Sequence, residues 1–160
     1  AAEEFYPGNE YVDWVAIDGR GYNRGASRAG SAWKSPADVY GAMLARVRAI
    51  TGNSKPVALT ELASNSAAAD GTGVAAKSTW ITDVFTYAAA NRVKMLVWFN
   101  QDKDGDWAVF GGANGDGVFK SGKVNYRTYA AYKSAVGANG IAAPEASNPR
   151  LISDAQFAGK

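Results

Sequence analysis

Pro56-Val57-Ala58-Leu59-Thr60-Glu61-Leu62 is an apolar run interrupted near its end by a carboxylate. A short run of this kind, with Lys55-Pro56 at its start, predicts a strand buried on both faces, as in parallel sheets. Two further runs have the same character: residues 11–18, YVDWVAID, and residues 93–100, VKMLVWFN. None alternates cleanly between apolar and polar. Helical patterns fall between them. Residues 35–50, SPADVYGAMLARVRAI, repeat Val39, Met43, Leu44, Val47 and Ile50 at helical spacing. Ser35 suits the N-cap, Pro36 the first helical position and Asp38 the first turn, and Thr51-Gly52-Asn53 ends the pattern. Residues 76–91 turn Trp80, Ile81, Val84, Phe85 and Ala88 inward. Residues 125–136 read as a third helix, capped by Asn125 and stopped by Gly137. Strands separated by helices predict βαβ units and an α/β fold with a parallel sheet.

Composition narrows the chemistry. The chain has 160 residues, 47% of them hydrophobic, enough to bury a core. It is shorter than the roughly 250 residues of a full (β/α)8 barrel. Seventeen basic residues face fifteen acidic ones, with no basic block, so nucleic acid is not an expected partner. No stretch of about 20 apolar residues exists, so a membrane span is not expected. No leader pattern is expected at the start either. The chain contains neither Cys nor His. That excludes thiol nucleophiles, Ser-His-Asp triads, disulfide scaffolds and ordinary zinc sites. Acid–base chemistry must then come from carboxylates, Tyr or Lys.

Glu61 stands at the end of its strand, where an unpartnered carboxylate is costly. It is either a helix cap or structural ion pair, or a catalytic carboxylate. Asp18 holds the same place on the first strand, and Trp98 and Asn100 hold it on the third. An acidic group beside an aromatic ring suits a sugar site, the carboxylate at the anomeric centre and the ring against the pyranose face. Trp98 suits the core equally well. Asp102-Lys103-Asp104-Gly105-Asp106 has the look of a calcium loop, but Gly105 falls at position four and Ala113 at position twelve, where an EF-hand needs Gly at six and Glu at twelve. A solvated acidic loop is the expectation. The glycines at 111, 112, 115 and 117 do not join a strand directly to a helix, which argues against a phosphate cradle. The Gly-containing loops 19–34 and 101–124 are long enough to carry function. Residues 138–160 read as an extended tail or linker.

These strand ends carry a family resemblance. Tyr6-Pro7-Gly8, Tyr11-Val12-Asp13-Trp14 and Ile17-Asp18-Gly19 resemble the YPG-x-x-YVDW-x-x-IDGYN stretch of glycoside hydrolase family 26. Lys55-Pro56-Val57, Glu61 and Ser64 resemble its KPV-x-x-x-E-x-x-S strand. Trp80-Ile81 with Phe85 resembles its W-I-x-x-x-F helix. Trp98-Phe99-Asn100, Lys103 and Asp106-Trp107 resemble its WFN…K…DW segment. The likeness runs in order from about residue 6 to 136, so residues 1–137 form the barrel part and 138–160 the tail. Two residues, Arg20 and Gly21, stand inserted before Tyr22, and Leu62-Ala63 replaces the family's Phe-Gly.

The resemblance implies the C-terminal portion of a (β/α)8 (TIM) barrel, about strands six, seven and eight with their helices. It implies a retaining glycosidase of β-mannanase type, acting through a covalent glycosyl-enzyme without a cofactor or metal. Glu61 would be the nucleophile and Tyr22 its contact. Trp98 would be the sugar platform, and Asn100, Asp18, Asp106 and Trp107 would meet the substrate. The family's acid/base Glu lies on strand four, outside this chain. The expected partners are a β-linked polysaccharide, β-mannan or β-glucan, and the N-terminal part of the barrel. The expected location is extracellular: secreted, cell-surface or virion-associated. The alternative is a non-catalytic carbohydrate-binding or structural fragment within a larger assembly.

Overall fold

The computed structural model describes residues 2–18, 22–25, 31–66, 73–138 and 153–158. Its main sheet is parallel and is built on β3 (Val57–Ser64). β1 (Val15–Ile17) and β4 (Val93–Trp98) both pair with the Val57–Leu59 half of β3, so they lie on its two opposite edges. β2 (Tyr22–Asn23) pairs with Ala63 and Ser64 at the far end of β3. Helix α1 (Pro36–Thr51) crosses from β2 to β3, and α2 (Val74–Ala90) from β3 to β4. Both helices pack against each other and share one core with the sheet. A third helix, α3 (Ala130–Ala138), packs on α2.

The local causes are those of the sequence. Ser35 caps α1 by accepting from the Asp38 N–H at 3.2 Å, and Asp38 returns a bond to the Ser35 N–H at 3.1 Å. Gly52 closes the helix in the left-handed region at φ 60°. Trp80, Ile81, Val84, Phe85 and Ala88 of α2 are all buried, as their spacing predicts. They meet Ile17, Leu59 and Leu62 from the sheet and Tyr40 and Leu44 from α1 in one continuous core.

Several expectations are corrected. The strands are shorter or displaced: Asn9–Tyr11 is a 3-10 turn, β3 continues to Ser64, and β4 stops at Trp98. The buried stripe of α1 contains Pro36, Tyr40, Leu44 and Thr51, whereas Met43 is 43% exposed. The helix turns its Tyr40 side to the core because that ring fills more apolar volume than Met43. Residues 125–128 are not helical, and Asn125 caps nothing. They belong to β6 (Val124–Thr128), which forms an antiparallel hairpin with β5 (Gly117–Ser121). Val124, Tyr126 and Thr128 alternate as β-formers, and Gly122, at φ 58°, supplies the turn. Helix α3 begins only at Ala130, whose N–H is held by Asp116 Oδ1 at 2.8 Å, and Gly137 lies within it. Within the tail, α4 (Asp154–Phe157) sets the Phe157 ring 5.6 Å from Trp14. Residues 139–152 lie outside the described residues.

Candidate functional site

A cleft of about 400 Å³ opens at the C-terminal ends of β3 and β4. Asp18, Thr60, Glu61, Trp98, Phe99 and Asn100 line it, with Val97 and Gln101. A local irregularity in the sheet accounts for Glu61 being there. Leu59 pairs with Leu96 and Leu62 with Trp98, so β3 spends three steps where β4 takes two. The extra residue is a bulge at Thr60-Glu61, and a bulge re-aims the side chains it carries. Thr60 and Glu61 are half-buried, while the other six residues of β3 are buried. The opposite edge is irregular too: five steps separate Ile17 from Tyr22, against four from Leu59 to Ala63. Arg20 and Gly21, the inserted pair, lie outside the described residues.

Three groups converge on the Glu61 carboxylate. The Tyr22 hydroxyl and the Asp18 carboxyl are its immediate polar neighbours, and the Lys103 charge also acts on it. The Tyr22 bond first, then the Asp18 bond, hold Glu61 below the usual carboxylate range. Asp18 moves the opposite way, raised chiefly by its bond to Glu61. Tyr22 is raised by burial and then by the Glu61 bond, so it stays protonated as a donor. The two neighbouring carboxyls are thus pushed in opposite directions, Glu61 towards its ionised form and Asp18 towards its protonated one.

Tyr22 is itself held in an aromatic cage. Phe99 stacks on it at 5.7 Å and Trp107 lies against it at 5.1 Å. The Arg24 guanidinium sits 5.5 Å from the Tyr22 ring and 5.4 Å from the Trp107 ring. Arg24 also meets Asp104 at 3.6 Å, and Asp104 accepts the Trp107 indole N–H at 2.9 Å. Buried Asn23 anchors the same corner, donating to Ser64 and accepting from the Lys34 N–H.

The structure thus brings together Glu61, Tyr22, Asp18, Trp98 and Asn100, but it does not bring Asp106 and Trp107 to the cleft. Trp107 is fully buried behind Tyr22 and has no surface to offer a substrate. Asp106 lies beside Lys77, 3.8 Å from its ammonium, and accepts from Asn114. Trp98 is half core: its ring meets Trp80 and Tyr132 edge-on, and its N–H binds the Trp107 carbonyl at 2.8 Å. The Asn100 amide pins the loop, accepting from the Val109 and Phe110 N–H groups and donating to the Phe110 carbonyl. The carboxylates of the acidic loop are engaged within the protein. Asp102 accepts from the Ala108 and Ala113 backbone, and Asp104 and Asp106 hold the partners named above. Gly105 is required by space: a Cβ there would meet the Asn65 amide and lie 3.0 Å from the Trp107 ring.

Sequence inspection missed Phe99 and Lys77. Phe99 had a signal, its place between Trp98 and Asn100. Lys77 had none, since a lysine on a helix is ordinarily solvated.

No family model matches the sequence. The chain is 28% identical over 159 residues to Endoglucanase H of Acetivibrio thermocellus, a glycoside hydrolase. The match takes in 92% of this chain and 15% of that protein's length. The chain therefore has a distant relationship to a glycoside hydrolase, of which it spans about 15%.

Proposed function

We propose that this chain is the part of a retaining β-glycanase that carries the nucleophile, Glu61. One observation supports this above the others: Glu61 is bulged out of β3 into a cleft, where its neighbours Tyr22 and Asp18 favour its ionised form. In a retaining mechanism the Glu61 carboxylate attacks the anomeric carbon as the glycosidic bond breaks, and water later releases the sugar. Tyr22 orients the attacking oxygen. Trp98 and Phe99 offer apolar ring surface to the pyranose.

The mechanism needs a second carboxyl about 5–5.5 Å from the first. In this reading Asp18, an immediate neighbour that interacts with Glu61 itself, is not that group. The acid/base is therefore supplied from another part of the protein, the portion that completes a family 26-type (β/α)8 barrel around strands β1/β2, β3 and β4. Support comes from the three parallel segments sharing one core with their helices, and from apolar Met95 and Val97, 42% and 45% exposed on β4. The substrate is a β-linked polysaccharide: β-mannan by the family resemblance, with β-glucan favoured by the name of the relative. Such polymers place the protein outside the cell.

The test is Glu61→Gln in the intact protein, assayed as new reducing ends from mannan and β-glucan. The variant should lose turnover while still binding the glycan. Near-wild-type hydrolysis would refute the assignment. The Trp98 and Phe99 rings that line the cleft suit one other role as well, glycan binding without cleavage. That role predicts binding by the unaltered protein and no reducing ends.

A further inference from the structure

We propose, building on the glycanase function above, that Lys77 is a positioning residue that sets Tyr22 against Glu61 by clamping the backbone around Trp107. Lys77 is on α2 and is fully buried. Its ammonium donates to the Asp106 carbonyl at 2.7 Å and to the Ala108 carbonyl at 2.9 Å. Trp98 Nε1 takes the carbonyl between them, that of Trp107, at 2.8 Å. Three consecutive carbonyls are thus held by side chains from outside the loop. The Asp106 carboxylate lies 3.8 Å from the ammonium and the Tyr129 ring 4.8 Å.

A loop backbone fixed on both sides of one residue has no freedom left at that residue. Here the residue is Trp107, and its ring is the floor beneath Tyr22. The path runs from Lys77 through the 106–108 backbone to the Trp107 ring, then to Tyr22 and its bond to Glu61. A buried lysine is an unfavourable choice for mere filling, since an apolar side chain of the same length would pack as well without desolvating an amine. What the amine adds is direction: two hydrogen bonds to two particular carbonyls.

The experiment reads the Glu61 ionisation directly, by carbon NMR of the labelled side-chain carboxyl in the intact protein, with kcat and KM measured beside it. Lys77→Met, Tyr22→Phe and the double variant form a cycle. Lys77→Met should raise the Glu61 pKa in the same direction as Tyr22→Phe, and the double variant should move no further than Tyr22→Phe alone. With glycan, Lys77→Met should lower kcat roughly ten- to hundredfold with little change in KM, the scale expected for a misplaced catalytic geometry. Lys77→Arg, which keeps donors at the clamp, should recover part of the Glu61 shift. If Lys77→Met does not fold, Trp107→Phe removes part of the floor with the clamp intact and should raise the Glu61 pKa. An unmoved Glu61 in a folded Lys77→Met or in Trp107→Phe, or additive effects in the double variant, would overturn the proposal. Absence of hydrolysis by the wild type would refute the glycanase function instead, and leaves the NMR cycle able to decide the role of Lys77.

Discussion

Raising the pH from 7 to about 9.5 should stabilise this protein, against the usual tendency. Lys77 is the cause. Burial pushes its ammonium down from the ordinary 10.5 to about 8, only partly opposed by the Asp106 and Asp102 charges. The unfolded chain then binds the proton more tightly than the folded one. Below pH 8 the folded state bears the whole penalty of a buried charge. Between about 8 and 10.5 the penalty is lifted as the folded lysine loses its proton, so stability rises with pH. A drop from 10.5 to about 8, at about 1.4 kcal/mol per pH unit, corresponds to about 3 kcal/mol at most. The neutral amine still has two protons for the Asp106 and Ala108 carbonyls, so the clamp survives the titration. Tyr40 and Tyr129 set the upper limit. Burial raises both phenols, so folding opposes their ionisation and stability turns down once free tyrosine ionises near pH 10. Urea unfolding followed by tryptophan fluorescence at half-unit steps from pH 7 to 10 reads this directly. With a urea dependence of about 2 kcal/mol per molar, the midpoint should climb by about 1 M towards pH 9.5. Lys77→Met should flatten the climb. A wild-type midpoint that stays level or falls over that range, or an equal climb in Lys77→Met, would refute the reasoning.

Other expectations follow from the same geometry. Tyr22→Phe removes the strongest influence holding Glu61 ionised, so the acid limb of the kcat/KM profile should move to higher pH, and a limb that does not move would disconnect the two residues. Leu59→Ala opens a cavity at a site with no exposed surface and should cost about 2–5 kcal/mol in chemical denaturation. Gly105→Ala should lower both Tm and kcat, because the new methyl group has to displace the Asn65 amide or the Trp107 ring under Tyr22. Ser35→Ala removes the side-chain half of the capping box of α1, the acceptor for the Asp38 N–H, and should cost about 1 kcal/mol without affecting kcat.

The elements with strong periodicity were legible before the structure. α1 announced itself through Ser35, Pro36 and Gly52, and α2 through its run of buried aromatic and branched residues. The strand ends also carried their message: Asp18, Glu61 and Trp98 come together because parallel strands in one sheet end on the same side. What remained hidden has physical reasons. Period alone cannot separate the hairpin 117–128 from a helix when Tyr and Ala residues follow it directly, and its turn glycine was the overlooked signal. The bulge at Thr60-Glu61 leaves no mark in a strand that is apolar on both faces. Trp107 and Asp106 lie beside cleft residues in sequence, and only the fold turns them inward. Lys77 was invisible because its environment is built from segments 29 and 31 residues away, the backbones of Asp106 and Ala108.

The central claim is that Glu61 forms a covalent bond to sugar. The direct test incubates the intact protein with a 2-deoxy-2-fluoro β-glycoside bearing an activated leaving group, followed by peptide mass spectrometry. The account predicts one fluoroglycosyl group on the peptide that contains Glu61, and none in Glu61→Gln. A label on any other residue, or turnover of natural glycan with no label at Glu61, would contradict it.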